Sequence, residues 1–116
     1  QVAAVLGYAN GALAVLKSAI STSLACAGRI AGTLGTIDIP PIVHCPGSLT
    51  VNRFGHSEVI ETPWDGGGWY FQVREVHRCL AAGLTESDVM PHAETLTILD
   101  TLDAIRDRIG LRFPGE

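Results

Sequence analysis

The sequence predicts an α+β fold: a mostly antiparallel sheet of about six strands, two C-terminal helices packed on one face, and the other face open for a partner. Three observations predict it. Short apolar runs separated by glycine, proline and asparagine fill the first half of the 116 residues, as strands joined by tight turns require. Apolar residues in the second half recur at helical spacing. Strands precede helices without β–α–β alternation, which disfavours a parallel sheet. With 47% hydrophobic and 17% charged residues, the composition suits one globular domain and not a disordered chain.

Val2 to Tyr8 and Ala12 to Ser21 read as a hairpin around Asn10-Gly11, a pair suited to a type I′ turn with positive φ at both central positions. Gly28 to Thr33 and Thr36 to Ile39 form a second pair across Leu34-Gly35, ended by Pro40-Pro41, because proline cannot donate to the ladder. Ser48 to Arg53 and Ser57 to Thr62 form a third pair around Phe54-Gly55-His56. Trp69, Val73, Val76 and Leu80 then mark a helix closed by Gly83. A second helix opens near Pro91, carries Glu94 in its first turn and the stripe Ile98, Leu102, Ile105 and Ile109, and closes at Gly110. There is no internal repeat and no low-complexity segment.

The second strand carries a further message. Leu13, Val15 and Ala19 point one way, while Ala14, Leu16 and Ile20 point the other, so both faces are apolar. A face left to water would alternate with polar residues. Either a partner covers the second face, a homodimer being the expectation, or a loop such as residues 40–47 folds over it.

Eight basic against twelve acidic residues give a net charge of −4, which leaves no basic face for nucleic acid. Cys26, Cys45 and Cys79 form no C-x-x-C pair and no closed disulfide framework, which fits a reduced, cytoplasmic setting. The uncharged stretch Gln1 to Leu16 is interrupted by Gly7, Asn10 and Gly11 and falls short of the ~20 residues a membrane span needs. The sequence opens on Gln1 inside an apolar segment, so a fragment of a longer protein is expected.

Chemistry is sparse. Gly28, Gly32 and Gly35 lie in a strand–turn–strand context and not before a helix, the wrong place to cradle a pyrophosphate. No metal site is expected: adjacent His44 and Cys45 cannot easily share an ion, and His77 and Cys79 face different directions on a helix. Asp65-Gly66-Gly67-Gly68 leads into the first helix; it is either an anion site or a permissive helix approach, and Asp65 would repel an anion. His44 and the pair Trp64-Asp65 stand at strand–loop and strand–helix junctions, where sites are commonly built. Core packing with a local hydrogen bond is the other reading of each. They are the candidate binding residues.

The run Pro63 to Leu80 through Gly83, the segment Glu86-Ser87 to Met90-Pro91 with the following helix, and Ile109 to Pro114 together resemble the C-terminal end of the glucose-fructose oxidoreductase / inositol dehydrogenase / MocA (Gfo/Idh/MocA) family. Tyr8-Ala9-Asn10-Gly11-Ala12 is similar to that family's hairpin, and Gly32 to Ile39 to its G-T-x-G-x-I-x-I turn. The nearest branch is the dihydrodiol dehydrogenase-like one. The resemblance implies a parent that binds NAD or NADP in an N-terminal Rossmann domain and transfers hydride to or from a sugar, polyol or diol. The glycine fingerprint, the Lys-Pro with its catalytic lysine, and the helix with the family's Asp and His would then lie upstream of Val2. Residues 1–116 would be a single C-terminal substrate-binding and oligomerisation domain that binds no cofactor by itself. Val43-His44 and Trp64-Asp65 match pocket-lining segments, although residues 43–44 depart from the aromatic of that branch. A stand-alone, non-catalytic module that dimerises through its sheet is the alternative.

Overall fold

The computed structural model describes residues 1–64 and 68–115. Its elements are β1 (Val2–Gly7), β2 (Leu13–Ser18), β3 (Gly28–Gly32), β4 (Gly35–Ile39), β5 (Ser48–Arg53), β6 (His56–Glu61), α1 (Trp69–Ala81) and α2 (His92–Ile109). The α+β class holds, with antiparallel strands first and both helices at the C-terminal end. The strands fall into a two-stranded sheet, β1-β2, and a four-stranded sheet, β3-β4-β5-β6, where the sequence suggests one sheet of about six. Each tight turn pairs its own flanking strands, while residues 19–27 connect β2 to β3 without a hairpin and so specify no pairing. Two compact units result, Gln1–Leu24 with Cys79–Glu116, and Ala25–Arg78.

In the first unit the hairpin loop departs from the expected turn. Tyr8 N–H donates to Ala12 C=O at 3.0 Å and Gly11 N–H to Tyr8 C=O at 2.9 Å. Only Gly11 has positive φ, at 84°. This is a three-residue loop, a type I turn followed by a left-handed glycine, and not the type I′ turn that Asn10-Gly11 predicts. Asn10 instead accepts the Ala12 N–H through its side chain at 3.1 Å. β2 stops at Ser18, short of the expected Ser21, because its partner β1 begins at Val2 opposite Ser18.

The two faces of the hairpin are as apolar as the sequence suggests. Ala3, Val5, Leu13, Val15 and Lys17 share one face, with Val15 71% exposed; Val2, Ala4, Leu6, Ala14 and Leu16 share the other, more covered one. α2 is preceded by Pro91 in extended conformation, with no cap from Pro91 itself. The Glu86 carboxylate takes that part, accepting the His92 N–H at 2.8 Å. Gly110, at φ 68°, closes α2 by donating to the carbonyls of Arg106 and Asp107, the left-handed stop that its position predicts.

The second unit is a meander in which two two-residue hairpins are joined by residues 40–47. Thr33-Leu34 links the paired Gly32 and Gly35, and Phe54-Gly55 links Arg53 and His56. Phe54 and Gly55 both have positive φ, 49° and 81°, so the type I′ geometry occurs here instead. The register separates two chemistries. One face carries Ile30, Ile37, Ile39, Leu49, Val51 and Ile60, with Arg53, His56 and Glu58 on it at the β5–β6 side; the other carries Arg29, Thr36, Asp38, Thr50, Asn52 and Ser57, with Val59. From β3 to β5 a polar face and an apolar face are therefore distinct, unlike the hairpin.

On the polar face Arg29 is hydrogen-bonded to Asp38, and Asn52 donates to the other Asp38 oxygen at 2.9 Å. The hydrogen bond from Arg29 is the main reason the Asp38 carboxyl sits below its ordinary value; desolvation opposes the shift, and charge attraction and Asn52 reinforce it. A carboxyl depressed by folding stabilises the fold above its unfolded pKa, near 3.9, and loses that contribution as pH falls through the folded value. Asp38→Asn should therefore lower the thermal midpoint slightly at neutral pH, since exposed pairs are weak. The difference from the parent should close in acid below pH ~3.9. A difference that persists unchanged in acid would show that the pair is not its source.

The predicted stripe of α1 is not covered within these residues: Trp69, Val73, Val76 and Leu80 are all exposed, and of the described residues only Cys79 is buried. Ile98, Leu102 and Ile109 of α2 are exposed as well. Among the described residues no helix is long and apolar enough to cross a membrane.

Candidate functional site

The site lies in the second unit, where loops converge after β4 and after β6. Pro40 ends β4, and the chain turns back at once: Cys45 N–H donates to Ile42 C=O at 2.8 Å, with Ile42 at a positive φ of 72°. Such a conformation is costly for a β-branched residue. Val43 N–H donates to Cys26 C=O at 2.9 Å and anchors the turn to the segment before β3. On the other side Thr62 is bonded twice to the segment before β5. Its N–H donates to Gly47 C=O at 2.9 Å and its hydroxyl to Pro46 C=O at 2.6 Å. Residues 44–46 and 62–64 are thereby held side by side.

These segments and the first turn of α1 line an open cavity of about 420 Å³, with His44, Cys45, Trp64, Phe71 and Gln72 among its walls. Its size lies in the range of small-molecule sites. Trp64, Phe71, Pro46 and Pro63 form apolar walls, while His44, Gln72 and Thr62 supply polar groups. No carboxylate, lysine or arginine belongs to the described lining. Such a wall suits an uncharged ligand with a flat apolar part and a few hydroxyls. The Phe71 ring is itself held, with the Arg74 guanidinium 5.5 Å from its centroid and Tyr70 edge-on at 5.8 Å.

Two of the three sequence candidates, His44 and Trp64, thus share one cavity; Asp65, with Gly66 and Gly67, lies outside the described residues. Phe71, Gln72 and Cys45 are additional wall residues that the sequence does not single out. Phe71 and Gln72 lie off the helical apolar stripe, so their signal is only proximity to the Trp64 junction. Gly68 also lines the cavity and lies against Cys45: a Cβ there would lie 2.7 Å from Cys45 Sγ, and its φ is 82°.

Gly28, Gly32 and Gly35 lie in the β3–β4 hairpin, where no helix N-terminus meets a pyrophosphate. Nor do three or more His, Cys, Asp or Glu side chains gather for a metal among the described residues.

Comparison with curated proteins finds relatives named trans-1,2-dihydrobenzene-1,2-diol dehydrogenase. The chain is 32% identical to the Danio rerio protein over 114 residues, which is 93% of this chain and 34% of the relative. Identity to the Oryctolagus cuniculus protein is 31% over 123 residues, 99% of this chain and 37% of the relative. For the Homo sapiens protein it is 29% over 104 residues, 84% and 31% of the respective lengths. The chain spans about a third of the length of the curated relatives it matches. No protein-family model matches it.

Proposed function

We propose that these residues are the C-terminal substrate-binding and oligomerisation domain of a longer, cytoplasmic NAD(P)-dependent oxidoreductase of the Gfo/Idh/MocA family, acting on a diol. The observation that carries the reading is the cavity between residues 44–46, 62–64 and the start of α1, in a chain whose relatives are dehydrogenases named for a diol. NAD or NADP supplies the hydride acceptor from a domain outside these residues, and no atom of this chain is assigned to hydride transfer.

The contribution of this chain is binding. Trp64 and Phe71 stack on the ring of the diol, and His44 and Gln72 hydrogen-bond its hydroxyls, with Asp65 as a further substrate contact. The aromatic walls exclude water from one side of the substrate and fix the plane in which its carbon is presented. A homodimer through a sheet face accounts for the apolar surface that Val5, Leu13 and Val15 expose.

The test is steady-state reduction of NAD or NADP by the full-length protein with trans-1,2-dihydrobenzene-1,2-diol, alongside sedimentation at micromolar concentration. Saturable turnover by a dimeric protein is expected, while residues 1–116 alone bind neither nucleotide in calorimetry. Tight nucleotide binding by the isolated chain, or a full-length protein inert toward diols, would overturn the reading.

A further inference from the structure

We propose that Thr62 is a positioning residue of the candidate site: its hydroxyl fixes the gap between residues 44–46 and Trp64, and with it the fit of the diol. The proposal rests on the reading above that this cavity takes the diol.

The β5–β6 ladder runs toward the cavity and stops just short of its walls. Ser48 pairs with Glu61, and the Thr62 N–H donates to Gly47 C=O at 2.9 Å. Bonded and non-bonded pairs alternate in an antiparallel ladder, so the next bonded pair in this register would be Cys45 with Trp64. The Cys45 N–H turns away and donates to Ile42 C=O at 2.8 Å instead. Pro46 and Pro63 lie between and, having no N–H, offer no further donor. Among the described residues, the two segments therefore leave the ladder with no main-chain bond joining them beyond Gly47 and Thr62.

The Thr62 side chain supplies what the main chain lacks. Its hydroxyl donates to Pro46 C=O at 2.6 Å, in a half-buried setting. Pro46 is the residue next to Cys45, and all of these line the cavity together with His44 and Trp64. The carbonyl can only accept, so the hydroxyl proton is committed to it. Thr62 thus acts on the ligand through the loop it holds.

That loop would relax if it were let go. Ile42 has a φ of 72°, a left-handed conformation that a β-branched residue leaves when it can. Such a conformation persists where the surroundings over-determine it. On one side the turn is tied by the Val43 N–H, which donates to Cys26 C=O at 2.9 Å. On the other it is tied at Pro46, by Thr62. Without the hydroxyl, residues 44–46 can swing from Trp64 while the ladder itself stays bonded through Gly47.

The experiment uses two variants of the full-length protein and two readouts. Thr62→Val keeps the branched shape and removes the donor; Thr62→Ser keeps the donor. Both retain the N–H that bonds Gly47. In residue-resolved hydrogen exchange without ligand, the Cys45 amide should exchange about tenfold faster in Thr62→Val, with Leu49 and Ile60 unchanged. In steady-state kinetics its KM for the diol should rise about 2- to 10-fold, the worth of one hydrogen bond, with kcat nearly unchanged. Thr62→Ser should match the parent in both. Unchanged Cys45 exchange in Thr62→Val, or failure of serine to restore it, would overturn the proposal and leave the diol reading standing. Faster exchange with an unchanged KM in an active enzyme would overturn the positioning role as well. Faster exchange in a protein inert toward diols would keep the pin between the two segments and remove the diol reading alone.

Discussion

Gly35→Ala should be the most damaging small substitution in the chain. A Cβ at Gly35 would lie 2.1 Å from the Asn52 carbonyl oxygen and 3.1 Å from its carbon. Both atoms are main chain, in the middle of a four-stranded sheet, so no side chain can swing aside. Gly35 pairs with Arg53 on β5, and the Arg53 Cα would be 3.3 Å from the added carbon; the methyl group therefore forces β4 and β5 apart. Overpacking of this kind costs typically ~1–3 kcal/mol and occasionally more; against unyielding main chain, about 3 kcal/mol is expected, a large part of a marginal total of ~5–15 kcal/mol. The measurement is the thermal midpoint, with Gly47→Ala beside it. Gly47 has nothing within 4 Å of its would-be Cβ, and its variant should remain within ~0.5 kcal/mol of the parent. Equal midpoints for the two variants would contradict the close approach of β4 to β5.

Gly68→Ala should damage the site more than the fold. Its φ of 82° disfavours any L side chain, at a cost of ~1–2 kcal/mol. Its Cβ would also meet Cys45 Sγ at 2.7 Å and Cys45 Cβ at 3.5 Å. Either the Cys45 sulfur turns away into the cavity or the loop carrying His44 and Cys45 shifts off the start of α1, and both change the wall that His44, Cys45 and Gln72 share. A displacement near 1 Å in a positioned site can cost ~100-fold in turnover efficiency, so kcat/KM for the diol should fall by one to two orders of magnitude. The second background separates the two causes. Cys45→Ala removes the sulfur but not the backbone requirement, so Gly68→Ala should cost about 1 kcal/mol less in that background. Additive effects in the double variant would show that the two residues do not touch.

Local signals in the sequence were legible wherever one residue decides the geometry. Gly110 and Gly83 end their helices as their positions predict, both with left-handed φ, and Pro40 ends β4. Turn chemistry was legible in kind but not always in type: Asn10-Gly11 is a turn, yet Ala9 joins it to make a three-residue loop, and the type I′ turn falls on Phe54-Gly55. What the sequence could not specify is pairing across residues 19–27, because no hairpin fixes the register there. Its inference from β2, that both faces are apolar, holds for the hairpin and not for the four-stranded sheet, where strict alternation along β4 and β5 puts Ile37 and Val51 opposite in direction to Asp38 and Asn52. For the candidate site, junction position was enough to bring forward His44 and Trp64. It could not find Phe71, Gln72 or the Cys45–Gly68 contact, which depend on Thr62 being bonded back to Pro46 and Gly47.

The central claim, that the cavity at residues 44–72 binds the diol, is tested most directly by the kinetics of Trp64→Ala in the full-length protein. Removing an aromatic wall should forfeit ~1.5–3 kcal/mol of burial, raising KM for the diol roughly 10- to 100-fold, with kcat changed much less because binding and not chemistry is lost. Trp69→Ala, whose side chain is 70% exposed and lies outside the cavity lining, should leave both constants at the parent value. A folded Trp64→Ala enzyme with unchanged KM and kcat would contradict the assignment of the site.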